Sequence, residues 1–288
     1  MKNENNVNRG MDKRIWKVMC AVLLLVALIC VAVACAKKAN EDAALDAYEQ
    51  LAEQTSKVPI DDGESSEESE EPTEEPPEES ESPADILEEL GVPVPEKEID
   101  FEELRESTNS DIYAWIYIPD TKIDYPVLQH PTDNLYYLNH NLDGSSGYPG
   151  CIYTEDYNSK DFSDPVTVLY GHNMKNGSMF AGLHRYSDSE YLAEHPYVYV
   201  YTEEGMKVYR IFAVHEYSNE HLLYGHNYYD ADEMQDYLDE IQDSRSMANV
   251  GDMENAVDTD SHILTLSTCI SNKPNNRFLV QGVLLNGE

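Results

Sequence analysis

The chain has 288 residues, 19 of them lysine or arginine and 56 aspartate or glutamate, for a formal net charge of −37. So acidic a chain is no nucleic-acid binder of the basic-patch kind, and it is poorly steered toward anionic surfaces. Its five cysteines, three of them in one N-terminal apolar stretch, form neither a dense disulfide pattern nor a CxxC zinc framework.

Residues 1–14 are polar and carry Lys2, Arg9, Lys13 and Arg14, which reads as a cytoplasmic N-terminus. From Ile15 to Ala36 the chain is apolar apart from Lys17. About 20 such residues cross a bilayer core as a helix, so residues 15–36 are expected to anchor the chain with the remainder extracellular. A cleaved signal peptide, whose apolar core runs to about 7–15 residues, is the competing reading. Cys35 in Ala32-Val33-Ala34-Cys35 loosely resembles a lipoprotein site. Residues 37–60 hold Leu45, Tyr48, Leu51 and Ala52 at helical spacing, which predicts a membrane-proximal helix.

Composition then changes. Asp61 to Leu90 has fifteen acidic residues, no basic ones and four prolines. Such a stretch cannot bury enough apolar surface to offset its chain entropy. Residues 61–98 are therefore expected to be a disordered acidic linker, and a chain starting near Pro95 is expected to fold without it.

A folded domain is expected over residues 99–288, opening with a short helix at 100–106. Strands are predicted at 112–118, 123–128, 151–154, 166–170, 197–202, 208–214, 263–268 and 278–285, from their Tyr, Val and Ile content and turn-rich flanks. Ser187-Asp188-Ser189-Glu190 reads as a capping box opening a short helix. Residues 232–243 place Met234, Tyr237, Leu238 and Ile241 on one helical face. Eight strands with few long helices argue for a closed antiparallel barrel, mostly β with accessory helices.

Two strand ends carry chemistry. Ile263 to Thr268 ends on Cys269, and Arg277 follows eight residues later; Val166 to Tyr170 ends on Gly171-His172-Asn173. A thiol nucleophile needs an imidazole to carry protons and a donor for the oxyanion. Cys269, His172 and Arg277 supply those types, although a cysteine is more often a small core hydrophobe than a catalyst. Tyr224-Gly225-His226-Asn227 repeats Tyr170-Gly171-His172-Asn173. His172 has the stronger strand before it, so it is the preferred base. Cys151 reads as a small strand residue. His215 and His221 do not make an HExxH motif, and the residues after Asp156 do not complete a calcium loop, so no metal is expected.

Thr265-Leu266-Ser267-Thr268-Cys269 resembles the TLxTC signature of sortases, the cysteine transpeptidases of Gram-positive cell surfaces. Tyr170-Gly171-His172-Asn173-Met174 with Gly177-Ser178-Met179-Phe180 is similar to the histidine segment of class B sortases. The resemblance covers about residues 100–285. It implies a sortase-type β-barrel with a helix between late strands, and a catalytic Cys269, His172 and Arg277. Ser267 and Thr268 would stand beside the substrate. No cofactor is implied. The implied substrate is a surface-protein sorting-signal peptide of the LPxTG or NPxTN kind, cut after threonine through a thioacyl intermediate. The acceptor would be an amine of a peptidoglycan precursor or cross-bridge or, in pilus assembly, a lysine. Some class B members carry an acidic residue just after the cysteine; here Ile270 follows, and an orienting partner for His172 stays open. A non-catalytic peptide-binding barrel is the alternative from another class. A papain-like hydrolase is disfavoured, because its cysteine precedes its histidine.

Overall fold

The structure, a computed structural model, describes residues 13–56, 83–244 and 257–287. The chain divides into two units, with the boundary between Ala43 and Ala44. Helix α1 (Lys13–Thr55) contributes to both. In the first unit its apolar stretch has a mean hydropathy of 3.2 over 18 residues, none of it covered by protein. It is one helix long and apolar enough to cross a membrane. The expected separate helix over 37–60 is instead the continuation of α1 as far as Thr55, and residues 57–60 lie outside the described residues.

The second unit is built on a closed eight-stranded barrel. Its strands are β1 (Ile112–Tyr117), β2 (Asp124–Leu128), β3 (Ile152–Tyr153), β4 (Val166–Tyr170), β5 (Tyr197–Thr202), β6 (Gly205–Ser218), β7 (Ile263–Ile270) and β8 (Lys273–Leu284). The order round the barrel is β1-β2-β3-β4-β7-β8-β6-β5. All eight predicted strands are present, but the expectation of an antiparallel barrel needs correction. β2 pairs parallel with β3, and β4 parallel with β7. Parallel neighbours need long crossovers. Between β4 and β7 the chain runs through β5, β6 and a helix over residues 231–243. Residue alternation along a strand is the same for either pairing, so the sequence pattern did not reveal it.

Accessory helices sit where the caps place them. Asp100 caps α3 (Phe101–Ser107) by accepting from the Glu103 amide at 2.8 Å; α2 (Pro83–Glu89) precedes it. In the predicted capping box the cap is Asp188, which accepts from the Glu190 amide; Ser187 turns its hydroxyl to the His184 carbonyl instead. The helix it opens is α4 (Ser189–Glu194). After α5 (Leu222–Gly225), α6 (Ala231–Asp243) buries Met234, Tyr237, Leu238 and Ile241 against Phe212, Leu279 and Val283.

The expected linker is not uniform. Residues 61–82 lie outside the described residues, but residues 83–98 are folded onto the barrel. Leu87 and Val92 are buried in the main core. Tyr199 Oη donates to the Pro93 carbonyl at 2.6 Å. Lys97 Nζ lies 2.9 Å from Asp124 Oδ1, with its side chain 3% exposed, and sits over the Trp115 ring at 5.3 Å. Averaged composition hid these few well-placed groups. The end of α1 behaves alike: Tyr48 is buried, edge-on to Tyr125 at 5.4 Å, and donates to the Gly150 carbonyl at 2.7 Å.

A chain starting at Pro95 therefore lacks core residues, which reverses the expectation drawn from composition. Leu87→Ala is expected to cost about 2–4 kcal/mol. That lowers Tm by roughly 2–4 °C per kcal/mol for a domain of this size. Exposed Glu88→Ala should change it little. Thermal melts of the two variants decide the matter: equal Tm values would return residues 83–94 to the linker.

Candidate active site

The parallel pair β4–β7 sets Tyr170 opposite Ser267. Two residues further along each chain come His172 and Cys269. Because side chains alternate in a strand, residues two apart share a face, so Tyr170 and His172 stand beside Ser267 and Cys269. The pairing continues past the strand end: the Gly171 amide donates to the Ser267 carbonyl at 3.1 Å, and Thr268 Oγ1 donates to the Gly171 carbonyl at 2.8 Å. Gly171 itself must be small, since a Cβ there would lie 2.6 Å from Ile152 Cδ1 and 2.7 Å from the Phe180 ring.

On the other side of β7, Cys269 is the cross-strand partner of Arg277 on β8. The sequence pattern predicts that this strand ends at Thr268 and that the next opens at Phe278. The structure carries both strands further, so that Cys269 lies within the ladder close to a tight turn at Ser271-Asn272. The guanidinium donates from Nη1 to the Pro274 and Asn276 carbonyls, both at 3.1 Å. Its Nε and Nη2 donors have no protein acceptor among the described residues.

His172 Nε2 lies 2.7 Å from the Leu138 carbonyl. A carbonyl only accepts, so Nε2 carries the hydrogen and Nδ1 is the nitrogen left to take or give a proton. The partner left open by the sequence is thus a backbone group, for which no side-chain signal exists. Leu138 closes a short 3-10 helix (Tyr136–Leu138), and the Tyr148 ring covers the imidazole with centroids 5.0 Å apart. Asn173, next in the chain, donates to the Cys269 carbonyl at 2.9 Å, and His184 Nε2 donates to the same oxygen at 3.0 Å. The residues before and after His172 are therefore both tied to the segment ending in Cys269.

Cys269, His172 and Arg277 line one cleft of about 220 Å³, together with Ser267, Thr268, Leu135, Leu138, Tyr153 and Tyr170. Cys269 is exposed there. Cys151 is buried, its Sγ 3.4 Å from the His140 carbonyl, and burial pushes its thiol up to about 12. An inert thiol and an accessible one are thereby separated. The duplicated tetrapeptide separates as cleanly. His226 caps the C-terminus of α5 and has Nε2 3.3 Å from Glu240 Oε2 on α6, away from the cleft.

Glu155 and His221 line the same cleft, and no sequence motif pairs them. They lie 66 residues apart, and their Oε2 and Nε2 are 2.5 Å apart. Burial pushes the Glu155 carboxyl above its usual range, and the neighbouring imidazole opposes that shift. Only the fold brings them together.

An exposed thiol with an imidazole on one flank and a guanidinium on the other can attack a carbonyl, protonate a leaving group and stabilise an oxyanion. Comparison with known proteins agrees with that chemistry. The Sortase domain family matches residues 116–285. Sortase B of Listeria monocytogenes is 38% identical over 191 residues, which are 64% of this chain and 74% of that protein. Sortase B of Staphylococcus aureus is 29% identical over 169 residues, 59% of this chain and 67% of that one. A solved Staphylococcus aureus sortase B–substrate complex superimposes with a TM-score of 0.57 at 26% identity, covering 64% of this chain and 83% of that one. An apolar helix, a closed eight-stranded barrel and a thiol cleft in one chain thus find their place: this protein belongs to the sortase family, as a cysteine transpeptidase of class B.

Proposed function

We propose that this enzyme cuts a sorting-signal peptide of the LPxTG or NPxTN kind after threonine and passes the acyl group to a cell-wall amine. The observation that carries the reading is the register that sets exposed Cys269 between His172 and Arg277. The Cys269 thiolate adds to the scissile carbonyl, and Arg277 donates to the oxygen that becomes charged. Imidazolium His172 gives a proton to the departing amine as the C–N bond breaks, leaving a thioacyl enzyme. An incoming amine then adds to the thioester, its proton passes to His172, and the thiolate leaves. Ser267 faces the peptide. Thr268 serves by holding Gly171, since its hydroxyl is already committed.

The apolar stretch of α1, residues 15–36, anchors the chain in the cell membrane, with the N-terminus in the cytoplasm and the barrel outside. Twenty-two residues of helix span about 33 Å, enough for a hydrocarbon core of about 30 Å. The acceptor is a peptidoglycan precursor or cross-bridge amine. Support comes from the sortase B resemblance, including a relative solved as a substrate complex.

Five substitutions test the assignment on the full-length chain in detergent, with peptide cleavage and amide formation followed by mass spectrometry. Cys269→Ala should abolish both, while Cys151→Ala should retain turnover within a few-fold; the opposite ranking would move the nucleophile. His172→Ala is expected to lower kcat/KM by about 10²–10⁴-fold, the usual worth of a general acid. His226→Ala, at the second copy of the tetrapeptide, should cost less than about tenfold, or 1.4 kcal/mol. If the two histidine variants lose equally, His172 has no special claim. Asn173→Ala, which frees the Cys269 carbonyl of one donor, should reduce kcat more than it raises KM. A change confined to KM would place Asn173 with peptide binding instead.

A further inference from the structure

Among the described residues, Glu155 is the one acidic group deeply buried in the wall of the cleft, and its surroundings leave it half satisfied. Its side chain is 7% exposed. Oε2 takes the hydrogen bond from His221 Nε2, while Oε1 has no partner among the described residues. The backbone at Glu155 is fixed, because buried Gln129 donates from Nε2 to its carbonyl at 3.0 Å. A carboxylate withdrawn from water is costly unless charge or hydrogen bonds compensate it.

His221 compensates Oε2 alone and leaves Oε1 without a protein partner among the described residues. His221 Nδ1 is buried without a partner among the described residues. His221 therefore engages Glu155 through Nε2 alone. Arg277, among the described residues the only lysine or arginine lining the cleft, turns Nη1 to its own turn carbonyls and makes no ion pair with Glu155 there. Glu220 adds a second negative charge to the lining. Tyr224 stacks on His221 at 4.1 Å and Tyr157 stands edge-on to the same ring at 5.7 Å, which fixes the imidazole. Tyr153, Tyr170 and Tyr217 line the same cleft as Glu155, and aromatic rings beside a carboxylate suit a compact cation with an alkyl stem.

We propose that Glu155 is a cation subsite of the cleft and takes a primary ammonium. The inference rests on the transpeptidase reading, in which the reaction has two sources of such a group. One is the acceptor amine before it loses its proton; the other is a lysine side chain within the sorting peptide. A latch between Glu155 and His221, holding residues 219–222 to the barrel, would use one carboxylate oxygen and leave the charge without purpose.

Glu155→Gln keeps an oxygen for His221 and removes the charge, and Glu155→Asp keeps the charge. In the full-length chain, peptides with lysine or norleucine at the variable position of the motif are compared as substrates, and glycinamide is titrated as acceptor. Hydrogen bonds to charged groups are worth about 1.5–3 kcal/mol, so Glu155→Gln should weaken the ammonium-bearing partner by about tenfold to hundredfold. Glu155→Asp should restore part of that loss. A rise in the glycinamide KM with peptide kcat/KM unchanged identifies the acceptor as the source, and loss of a lysine-over-norleucine preference identifies the peptide. Unchanged values in both arms, or an equal fall for every substrate, would overturn the subsite and leave a latch. A second measurement is independent of turnover: in Cys269→Ala, n-butylammonium but not n-butanol should shift the His221 ring resonances, and Glu155→Gln should abolish the shift. Absence of that shift counts against the subsite even in an active enzyme. A wild-type enzyme that cleaves no peptide would remove the transpeptidase reading, while the ammonium titration would still decide the site.

Discussion

Tyr170 faces Ser267 across a parallel strand pair, and most of what the cleft does depends on that register. The two strands arrive from distant parts of the chain and run in the same direction, so their ends open at one rim. His172 and Cys269 then stand level. Gly171, with no side chain to push the strands apart, lets the Thr268 hydroxyl and Ser267 carbonyl close the pairing beyond β4. A slip of one residue would turn every side chain to the other face. It would put Thr268 where the thiol stands.

The same residue type takes opposite characters according to where the fold sets it. Cys151 directly precedes β3 and Cys269 lies in β7, yet one is sealed in the core and the other open at a rim. The two Tyr-Gly-His-Asn segments share four residues and nothing else. The first leaves a barrel strand and turns back through Met179, with the Phe180 amide bonded to the His172 carbonyl. The second ends a one-turn helix and is held by carboxylates of α6, Glu233 on the Asn227 amide and Glu240 beside His226. Local sequence cannot distinguish them, because the distinction lies in contacts from elsewhere.

Much of this fold was legible because strand patterns depend on residues that are neighbours in the chain. Tyr197 to Thr202 alternates valine and tyrosine and forms β5 with the predicted limits. The amphipathic face of α6 was legible likewise, and so were the thiol and imidazole at two strand ends. The rest depended on long-range pairing. Parallel and antiparallel neighbours share one alternation, so the crossovers were invisible. The Leu138 carbonyl on His172 belongs to every residue type alike. Glu155 and His221 meet only because β3 and the segment before α5 converge. Residues 83–98 misled for a different reason: Leu87, Val92 and Lys97 are sparse among carboxylates and prolines, but each finds a built partner.

The segment between β2 and β3 links the end of α1 to the imidazole. Tyr48 donates to the Gly150 carbonyl, and the Cys151 amide donates to the Tyr137 carbonyl one residue before Leu138. Gly150 adopts φ +68, and a Cβ there would lie 2.7 Å from the Tyr137 carbonyl, so no other residue fits. The Asn141 side chain completes the arrangement by accepting from the Gly150 amide at 3.0 Å. Leu138 can orient His172 only while this strap keeps its carbonyl in place. The last turns of α1 therefore belong to the support of the cleft as well as to the core. That explains why Tyr48, far from the thiol in sequence, is among the most deeply buried side chains of the second unit.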